Sequence, residues 1–213
     1  MWLLFIFTNL ASQRCFKIMK IKETNLWPTR VWEVEDLFDE EFNNSLLEEL
    51  LLWKEEYGPW TGLRPNYFRS DKPLINIARE KFMDIIKEVT KPYFGDSFLK
   101  IKYDFSKGWL METPPGSYVN IHPHDSASLA MVYYLQTTDN CGDLVLVDPR
   151  RGGDFTQVIT VCGKCKRYTP TVGKLIIIPG YILHEVMQNN SDIIRYSFAA
   201  NVVLTNPSEN KDY

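Results

Sequence analysis

From about residue 99 onward the chain is divided into short apolar stretches that are separated by glycine, proline, asparagine and aspartate. Stretches of this kind, several of which alternate polar and apolar residues, are typical of β-strands joined by turns. The strands predicted from the pattern are 101–105, 109–111, 117–122, 129–135, 143–147, 155–161, 175–178, 184–187 and 195–203, with Gly108 as the turn between the first two. Many short strands at this spacing fold as an antiparallel sandwich or jelly roll.

Two helices are predicted before these strands. Apolar residues recur at helical spacing over 42–53 and again over 75–89, where Pro92 is expected to end the second helix. An irregular strand is expected over 26–34, at the edge of a sheet. The predicted fold class is therefore mainly β, with flanking helices laid against one sheet.

The length of 213 residues fits one globular domain with elaborations. We expect this domain over 19–205, with a helical part over about 19–98, a core of strands over about 99–205 and a polar tail at 206–213. Lysine and arginine total 24 against 27 acidic residues, so the net charge is −3. Nucleic acid is not an expected partner, because no basic excess is available to hold phosphates.

Residues 1–18 are interpreted as an extension without function or an upstream mis-start, because a second methionine at Met19 begins an ordinary soluble sequence. The apolar run at 2–7 has no preceding basic residue and is too short to cross a bilayer, so no membrane association is expected. A cleaved export signal is the alternative. The four cysteines are few and unevenly placed, which favours a reducing compartment and predicts the cytoplasm.

The chain has three histidines, and their spacing predicts a metal site. His122 and His124 are two residues apart on a predicted strand, so both can point to the same face. His184 must reach them from a strand that is not adjacent in sequence. The alternative is that all three are ordinary, partly buried polar residues, but their convergence on the predicted interior favours a metal.

The last predicted strand adds independent evidence for a ligand site. Arg195, Ser197 and Asn201 share one face, whereas the other face is apolar and suits the core. A buried arginine requires an anionic partner, and a guanidinium with a nearby hydroxyl suits a carboxylate ligand. Pairing of Arg195 with Asp143 or Asp148 at the rim is the alternative, and the spacing does not decide between the two.

These residues resemble the iron(II)- and 2-oxoglutarate-dependent dioxygenases, among which prolyl hydroxylase-like proteins are near relatives. The resemblance is closest to the 2-oxoglutarate oxygenases of cyanophages and marine bacteria. It is carried by an ordered set of motifs over about 100–203, namely His122-Pro-His124, Val132-Tyr-Tyr-Leu135, Asp148-Pro-Arg150, Gly173-Lys-Leu-Ile-Ile-Ile-Pro179, His184 and Arg195-x-Ser197. For a virus-encoded chain, the expected compartment is the host cytoplasm.

The resemblance implies a double-stranded β-helix, the cupin-like jelly roll, and a co-substrate site. His122 and His184 would be metal ligands, Arg195 would bind the distal carboxylate of 2-oxoglutarate, and Ser197 would assist it. Tyr118, Asn120, Tyr133 and Asn201 are further pocket candidates. The implied cofactors are Fe(II), 2-oxoglutarate and O2, and the implied reaction is hydroxylation of a small-molecule or peptide substrate with release of succinate and CO2.

One position departs from the family pattern. Most relatives carry an acidic residue two positions after the first histidine, where this chain has His124, and Asp125 comes one residue later. If the strand runs straight through, the site holds three neutral histidines. If the strand ends or bulges at Pro123, Asp125 could supply a carboxylate. We favour His124.

Two other functions are considered for the same fold. One is a jelly-roll binding protein without catalysis, and the other is a cupin-like three-histidine metalloenzyme that does not use 2-oxoglutarate; the Arg195 and Ser197 pair argues against the second. Cys162-Gly-Lys-Cys165 could be half of a zinc site, but a complete site needs four ligands. A hairpin turn with two incidental thiols is the favoured interpretation.

Overall fold

The computed structural model describes residues 28–57, 66–148 and 165–206. Two α-helices, two 3-10 helices and nine strands lie within these ranges. The helices are α1 (Glu40–Tyr57), a 3-10 turn (Tyr67–Arg69), α2 (Pro73–Phe94) and a second 3-10 segment (Gly95–Lys100). The strands are β1 (Trp32–Val34), β2 (Lys102–Thr113), β3 (Val119–His122), β4 (Leu129–Gln136), β5 (Leu144–Val147), β6 (Cys165–Tyr168), β7 (Leu175–Pro179), β8 (His184–Val186) and β9 (Arg195–Thr205).

The strands form two sheets, and the chain passes repeatedly from one to the other. The five-stranded sheet has the order β1-β7-β4-β9-β2, and the four-stranded sheet has the order β3-β8-β5-β6. Every pairing within them is antiparallel. Successive strands β7, β8 and β9 therefore lie in alternate sheets, which is the jelly-roll arrangement that the strand pattern predicted.

Two apolar cores lie on opposite faces of the five-stranded sheet. The larger contains the buried faces of both helices together with side chains of β2, β4, β7 and β9. The smaller contains residues of β4, β5 and β7 and so lies between the two sheets. Strands β4 and β7 contribute to both cores, which explains why their sequences are nearly continuous apolar runs rather than alternating ones.

Both predicted helices are present, and local signals fix where they begin. The carboxylate of Asp39 accepts a hydrogen bond from the backbone N–H of Phe42 at 2.8 Å, which caps the start of α1. Pro73 occupies the first turn of α2, where its missing N–H costs nothing. The second helix continues past Pro92 to Phe94, so the predicted end was wrong by two residues. A proline in the last turn removes a single backbone hydrogen bond, and the chain then continues as a 3-10 segment.

Gly108 does not form the predicted turn. It lies inside β2, which runs continuously and absorbs an irregularity between Phe105 and Lys107. A β-carbon on Gly108 would come within 2.8 Å of the Phe68 ring, so glycine is needed there for packing rather than for a turn. The predicted edge strand is confirmed over Trp32–Val34, which pairs with β7 at the end of the sheet.

Several predictions concern residues outside the described ranges. These are the extension at 1–18, the strand at 155–161, Cys162 of the cysteine pair, and the tail beyond residue 206. In the described part of the chain, no helix is both long enough and apolar enough to cross a membrane.

Candidate metal centre and co-substrate pocket

The three histidines come together because β3 and β8 are neighbours in the four-stranded sheet. His122 lies directly opposite His184 in the register, and their ring centroids are 4.4 Å apart. The ring of His124 lies 5.2 Å from His122 and 5.0 Å from His184. One ring nitrogen of each histidine lies within 4.8 Å of the others, a spacing at which a single metal ion can bind all three.

Two of these rings are oriented by backbone hydrogen bonds. Nδ1 of His122 contacts the carbonyl of Asn120 at 2.7 Å, and Nδ1 of His184 contacts the carbonyl of Ile182 at 2.9 Å. A carbonyl only accepts, so each Nδ1 must carry the proton and each Nε2 is left with a free lone pair. This is the orientation that metal-binding histidines commonly adopt.

The structure places His124, and not Asp125, beside the other two histidines. Strand β3 ends at His122, and the backbone of His124 is held in the following turn by its N–H, which donates to the Gly180 carbonyl at 2.7 Å. Asp125 is exposed and is not a member of the cluster. The strand therefore ends before Pro123, as in the alternative in which Asp125 supplies a carboxylate. The turn nevertheless directs the ring of His124, and not the carboxylate of Asp125, toward the other two histidines.

Burial favours the neutral form of two of the three histidines. Burial, followed by the neighbouring imidazoles of His184 and His122, lowers the pKa of His124 to about 4. Burial also lowers the pKa of His184. Neutral imidazoles have the free lone pair that a metal requires, so the lowered pKa values of His124 and His184 reduce the competition of protons with a metal for these two ring nitrogens.

The histidines line a cavity of about 70 Å³ between the two sheets. Because a single water needs only ~10–15 Å³ by such a measure, the cavity has room for a compact organic molecule. Its walls are mostly apolar, and Arg195, Ser197 and Tyr134 add polar groups to the same cavity as the histidines. Further wall residues are Trp109, Met111, Val119, Leu144, Ile176, Ile178 and Val186.

Arg195 is the most unusual side chain of this cavity, because it is only 2% exposed and has an unpaired donor. Its Nη1 donates to the carbonyls of Cys141 and Gly142 at 3.2 and 2.7 Å, and Nη2 donates to the Thr113 hydroxyl at 2.8 Å. A guanidinium has five N–H donors, so Nε–H and one donor on Nη2 remain. Two adjacent donors match the two oxygens of a carboxylate.

The alternative partners of Arg195 do not bind it within the described ranges. The guanidinium of Arg195 donates hydrogen bonds to two carbonyls and one hydroxyl. Among the described residues, neither Asp143 nor Asp148 forms an ion pair with it. Burial lowers the pKa of Arg195, whereas nearby Tyr134 raises it. An arginine nonetheless stays protonated in proteins, so the cavity contains a buried positive charge without a carboxylate among these contacts.

Ser197 and Tyr134 lie together beside this arginine. They are opposite each other in the pairing of β4 with β9, and both side chains are 2% exposed. Burial raises the pKa of Tyr134 above its usual value, although the Arg195 charge opposes the shift. The phenol therefore stays protonated and is available as a hydrogen-bond donor to an anion.

The structure does not bring Tyr133 into the cavity. Its side chain points to the helices, where its hydroxyl donates to Asn43, and it belongs to the larger apolar core. Adjacent residues of a strand face opposite sides, so Tyr134 is the tyrosine of this pair that lines the cavity. The motif correctly located the strand, but the assignment of its inward face was wrong by one residue.

Tyr118 and Asn120 also lie outside the cavity, because β3 is irregular between Val119 and His122. The irregularity changes the alternation, so that Val119 lines the cavity while Tyr118 is 62% exposed and the Asn120 side chain is exposed. Asn120 contributes only its carbonyl, to His122. Asn201 is 7% exposed and its Oδ1 has no partner, but it is not among the residues that line the cavity.

Several residues that contact Arg195 or His124 had no signal in the sequence. Thr113 and the carbonyls of Cys141 and Gly142 reach Arg195 only through the pairing of β2 with β9 and the turn after β4. Trp109 lies inside β2, with its indole near His124. A known register would have identified Thr113 and Tyr134, because they lie opposite Arg195 and Ser197.

Residues 107–201 match a family model described as "Putative 2OG-Fe(II) oxygenase". This match spans β2 to β9 and includes all three histidines, Arg195 and Ser197. This region belongs to the 2OG-Fe(II) oxygenase superfamily. The match confirms the predicted iron(II)- and 2-oxoglutarate-dependent oxygenase family for these residues, and the histidine cluster fits a metal ion.

Solved structures of the same fold support the architecture. A prolyl-4-hydroxylase from Pseudomonas putida is similar over 81% of this chain and 86% of its own, with a TM-score of 0.58 and 14% identity. HygX from Streptomyces hygroscopicus, with nickel, 2-oxoglutarate and hygromycin B bound, covers 82% of this chain and 83% of its own, with a TM-score of 0.59 and 11% identity. No curated protein matches the sequence significantly. The structural likenesses confirm the jelly-roll fold.

Proposed function

We propose that this oxygenase binds Fe(II) through His122, His124 and His184 and binds 2-oxoglutarate between that metal and Arg195. The observation that carries the proposal is a single apolar cavity that is lined by a three-histidine cluster and by a buried guanidinium with an unpaired Nε–H. A metal-binding group and a carboxylate-binding group in one compact cavity suit a ligand that carries both a chelating end and a distal carboxylate. 2-Oxoglutarate has this structure.

The metal fits the residues that are present. His122, His124 and His184, at mutual ligand spacing, would hold the ion and would leave it accessible to a co-substrate and O2. Bound Fe(II) would supply the oxidising chemistry, in which 2-oxoglutarate and O2 are consumed, one oxygen atom enters succinate as CO2 is released, and the other enters the hydroxyl group formed at a substrate C–H bond. The contribution of the protein is to hold the ligands and to exclude bulk water.

The co-substrate fits the walls as well as the charge. Two N–H donors of Arg195 would bind the distal carboxylate, and the hydroxyls of Ser197 and Tyr134 would donate further hydrogen bonds to it. Apolar side chains such as Ile176, Ile178 and Leu144 would contact the methylene groups. The bonds from Arg195 to two backbone carbonyls hold its guanidinium in place before the anion arrives.

The substrate is a molecule that can place a C–H bond at the metal from the open side of the cavity. The two similar structures are a prolyl-4-hydroxylase and a protein bound to hygromycin B, so relatives of this fold do not restrict the class. We therefore propose hydroxylation of a small-molecule or peptide substrate.

Succinate formation tests this function. The protein should be incubated in air with Fe(II), 2-oxoglutarate and panels of small molecules and peptides, and succinate should be measured above the background without added substrate. The Arg195→Met variant is the matched control, because it keeps the metal ligands while losing the carboxylate partner. Metal binding without any succinate from the wild-type protein, with or without substrate, would favour a non-catalytic jelly-roll protein.

Oxygen consumption under the same conditions distinguishes a cupin-like three-histidine enzyme from a 2-oxoglutarate-dependent oxygenase. Such an enzyme would consume O2 in the presence of its substrate without needing 2-oxoglutarate. Oxygen consumption that continues unchanged when 2-oxoglutarate is omitted, and that is unaffected by Arg195→Met, would support this alternative and contradict our proposal.

A further inference from the structure

The three histidines are held in two different ways. The rings of His122 and His184 are each fixed by an Nδ1–H hydrogen bond to the carbonyl two residues earlier. The ring of His124 makes no hydrogen bond to any residue of the described ranges. Its backbone, however, is tightly held. A β-carbon at position 180 would lie 2.0 Å from the Ala127 carbonyl oxygen and 2.8 Å from the His124 carbonyl oxygen, so only glycine fits against this turn.

A fixed backbone with an unanchored ring leaves the side-chain torsions of His124 to be set by packing. The aromatic side chain that packs on it, apart from the other two histidines, is Trp109 of β2, whose ring centroid lies 5.9 Å away at an interplanar angle of 47°. This distance lies within the 4.5–7 Å typical of favourable aromatic pairs. The contact joins the five-stranded sheet to the turn that follows β3.

The position of Trp109 is itself set by the strand. Its neighbours Gly108 and Leu110 face the helices, in contact with Phe68 or in the larger core. Trp109 lines the cavity and also packs against the larger core, so contacts on both sides hold its indole. The residue opposite it on β9 is Ala199, whose small side chain leaves room for an indole. Both Trp109 and Ala199 line the cavity that contains the histidines.

We propose that Trp109 is the positioning residue of His124, holding its ring toward the metal in place of the hydrogen bond that the other two ligands have. The inference rests on the proposed three-histidine metal site. It makes His124 the ligand whose bond to the metal depends on a side chain from the opposite sheet. Trp109 itself donates no ligand atom and acts only through His124.

Titration with Co(II) alone, under anaerobic conditions, tests the proposal through the affinity and the visible absorption of the bound ion. Trp109→Leu should weaken Co(II) binding by about 2- to 10-fold, the effect expected from the loss of one aromatic contact. It should also alter the absorption of the bound ion, because the third ligand is less well oriented. Trp109→Phe, which keeps a ring, should restore most of the affinity and serves as the assay variant if the leucine variant unfolds.

A double-mutant comparison distinguishes positioning from a general structural role. In a His124→Ala background, Trp109→Leu should have no further effect on Co(II) affinity, because the ring on which it acts is absent. An equal loss in both backgrounds, or no loss in either, would overturn the proposal. Trp32→Leu, which removes a tryptophan that contacts Tyr93 instead, is the matched control and should leave the affinity unchanged.

The outcome for the wild-type protein separates this inference from the proposed function. If the wild-type protein binds no Co(II) or Fe(II), the metal site and the role of Trp109 both fail. If it binds Co(II) through His124 but the two Trp109 variants bind it as the wild type does, only the role of Trp109 fails.

Discussion

At the scale of single residues, the feature that most shapes the chemistry is the absence of a carboxylate from the histidine cluster of the described ranges. The group consists of His122, His124 and His184, and Asp125 lies outside it in an exposed turn. Neutral ligands leave the full charge of a divalent ion in the cavity. Such a site should attract the chelating carboxylate of 2-oxoglutarate more strongly than a site that already holds an anion.

Replacement of His124 and of Asp125 separates the two candidate ligands. His124→Ala should reduce Fe(II) affinity by more than the ~10- to 100-fold that loss of an outer partner of a ligand costs, because a direct ligand is removed. Asp125→Ala should leave affinity within about twofold. Anaerobic Fe(II) titration measures both. A loss confined to the Asp125 variant would show that the wrong ligand had been assigned.

Arg195 can be tested independently of the metal. Arg195→Met should raise the dissociation constant of 2-oxoglutarate by roughly 10- to 150-fold, the range expected when a charged hydrogen-bonding partner worth ~1.5–3 kcal/mol is lost. Fe(II) affinity should not change, because Arg195 is not a ligand. The dissociation constant of Arg195→Lys for 2-oxoglutarate should lie between those of the wild-type protein and of Arg195→Met, since an ammonium keeps the charge but loses the paired donors. Equal 2-oxoglutarate affinity in all three proteins would exclude Arg195 as its partner.

The protonation of His124 predicts a pH dependence of stability in the metal-free protein. The pKa of His124 is lowered to about 4 in the folded state, against 6.5 for an ordinary histidine. The unfolded chain therefore binds more protons between these values, so this group makes the free energy of unfolding fall as pH decreases through that interval. Denaturant unfolding at pH 7 and pH 5 should show a smaller drop for His124→Gln than for the wild-type protein. An identical drop in both would contradict the assignment.

At the scale of elements, the turn after β4 is the part that connects Arg195 to the fold. Gly142 has φ of +92°, and a β-carbon there would lie 2.1 Å from the Met187 carbonyl. The same residue supplies the carbonyl that accepts the 2.7 Å hydrogen bond from Arg195. The turn can therefore hold the guanidinium only while it remains in this close packing against the chain after β8.

Gly142→Ala is expected to disturb this turn. The forced displacement should lower the free energy of unfolding by roughly 1–3 kcal/mol, as for other overpacked positions, and should weaken 2-oxoglutarate binding because the Arg195 guanidinium loses an anchor. Denaturant unfolding and 2-oxoglutarate titration measure the two effects. Gly95→Ala is the control for positive φ alone, since nothing lies near its would-be β-carbon. Unchanged 2-oxoglutarate affinity in Gly142→Ala would show that this turn does not contribute to co-substrate binding.

At the scale of the whole molecule, the spacing of apolar residues predicted the helices and strands, which depend on local sequence. Which side chains face the cavity depends also on the register between strands. The helices, most of the described strands and the inward face of Arg195 and Ser197 follow from apolar spacing. The histidine cluster was predicted by placing His122 and His124 on one strand, although His124 lies in the turn after β3. Tyr133 was assigned to the cavity instead of Tyr134, and Tyr118 and Asn120 instead of Val119. Both errors arise because the sequence alone does not show which of the two alternating faces of a strand lines the cavity. That assignment requires the partner strand of β4 and the position of the irregularity in β3.

Thr113 and Trp109 could not be found from the sequence for a related physical reason. Both lie in β2 and act on residues of distant segments, Arg195 and His124, which β2 approaches only once the two sheets have formed. Contacts of this kind depend on the tertiary arrangement and have no local sequence signature. The fold class itself was predictable because it requires only many short strands with turns between them.

The visible spectrum of the anaerobic protein with Fe(II) and 2-oxoglutarate tests the central claim most directly. A metal held by His122, His124 and His184 and a co-substrate held by Arg195 should together produce a charge-transfer band that neither component gives alone. The band should be lost in His184→Ala and should require much more 2-oxoglutarate in Arg195→Met. Absence of the band from the wild-type protein at saturating Fe(II) and 2-oxoglutarate would contradict the account.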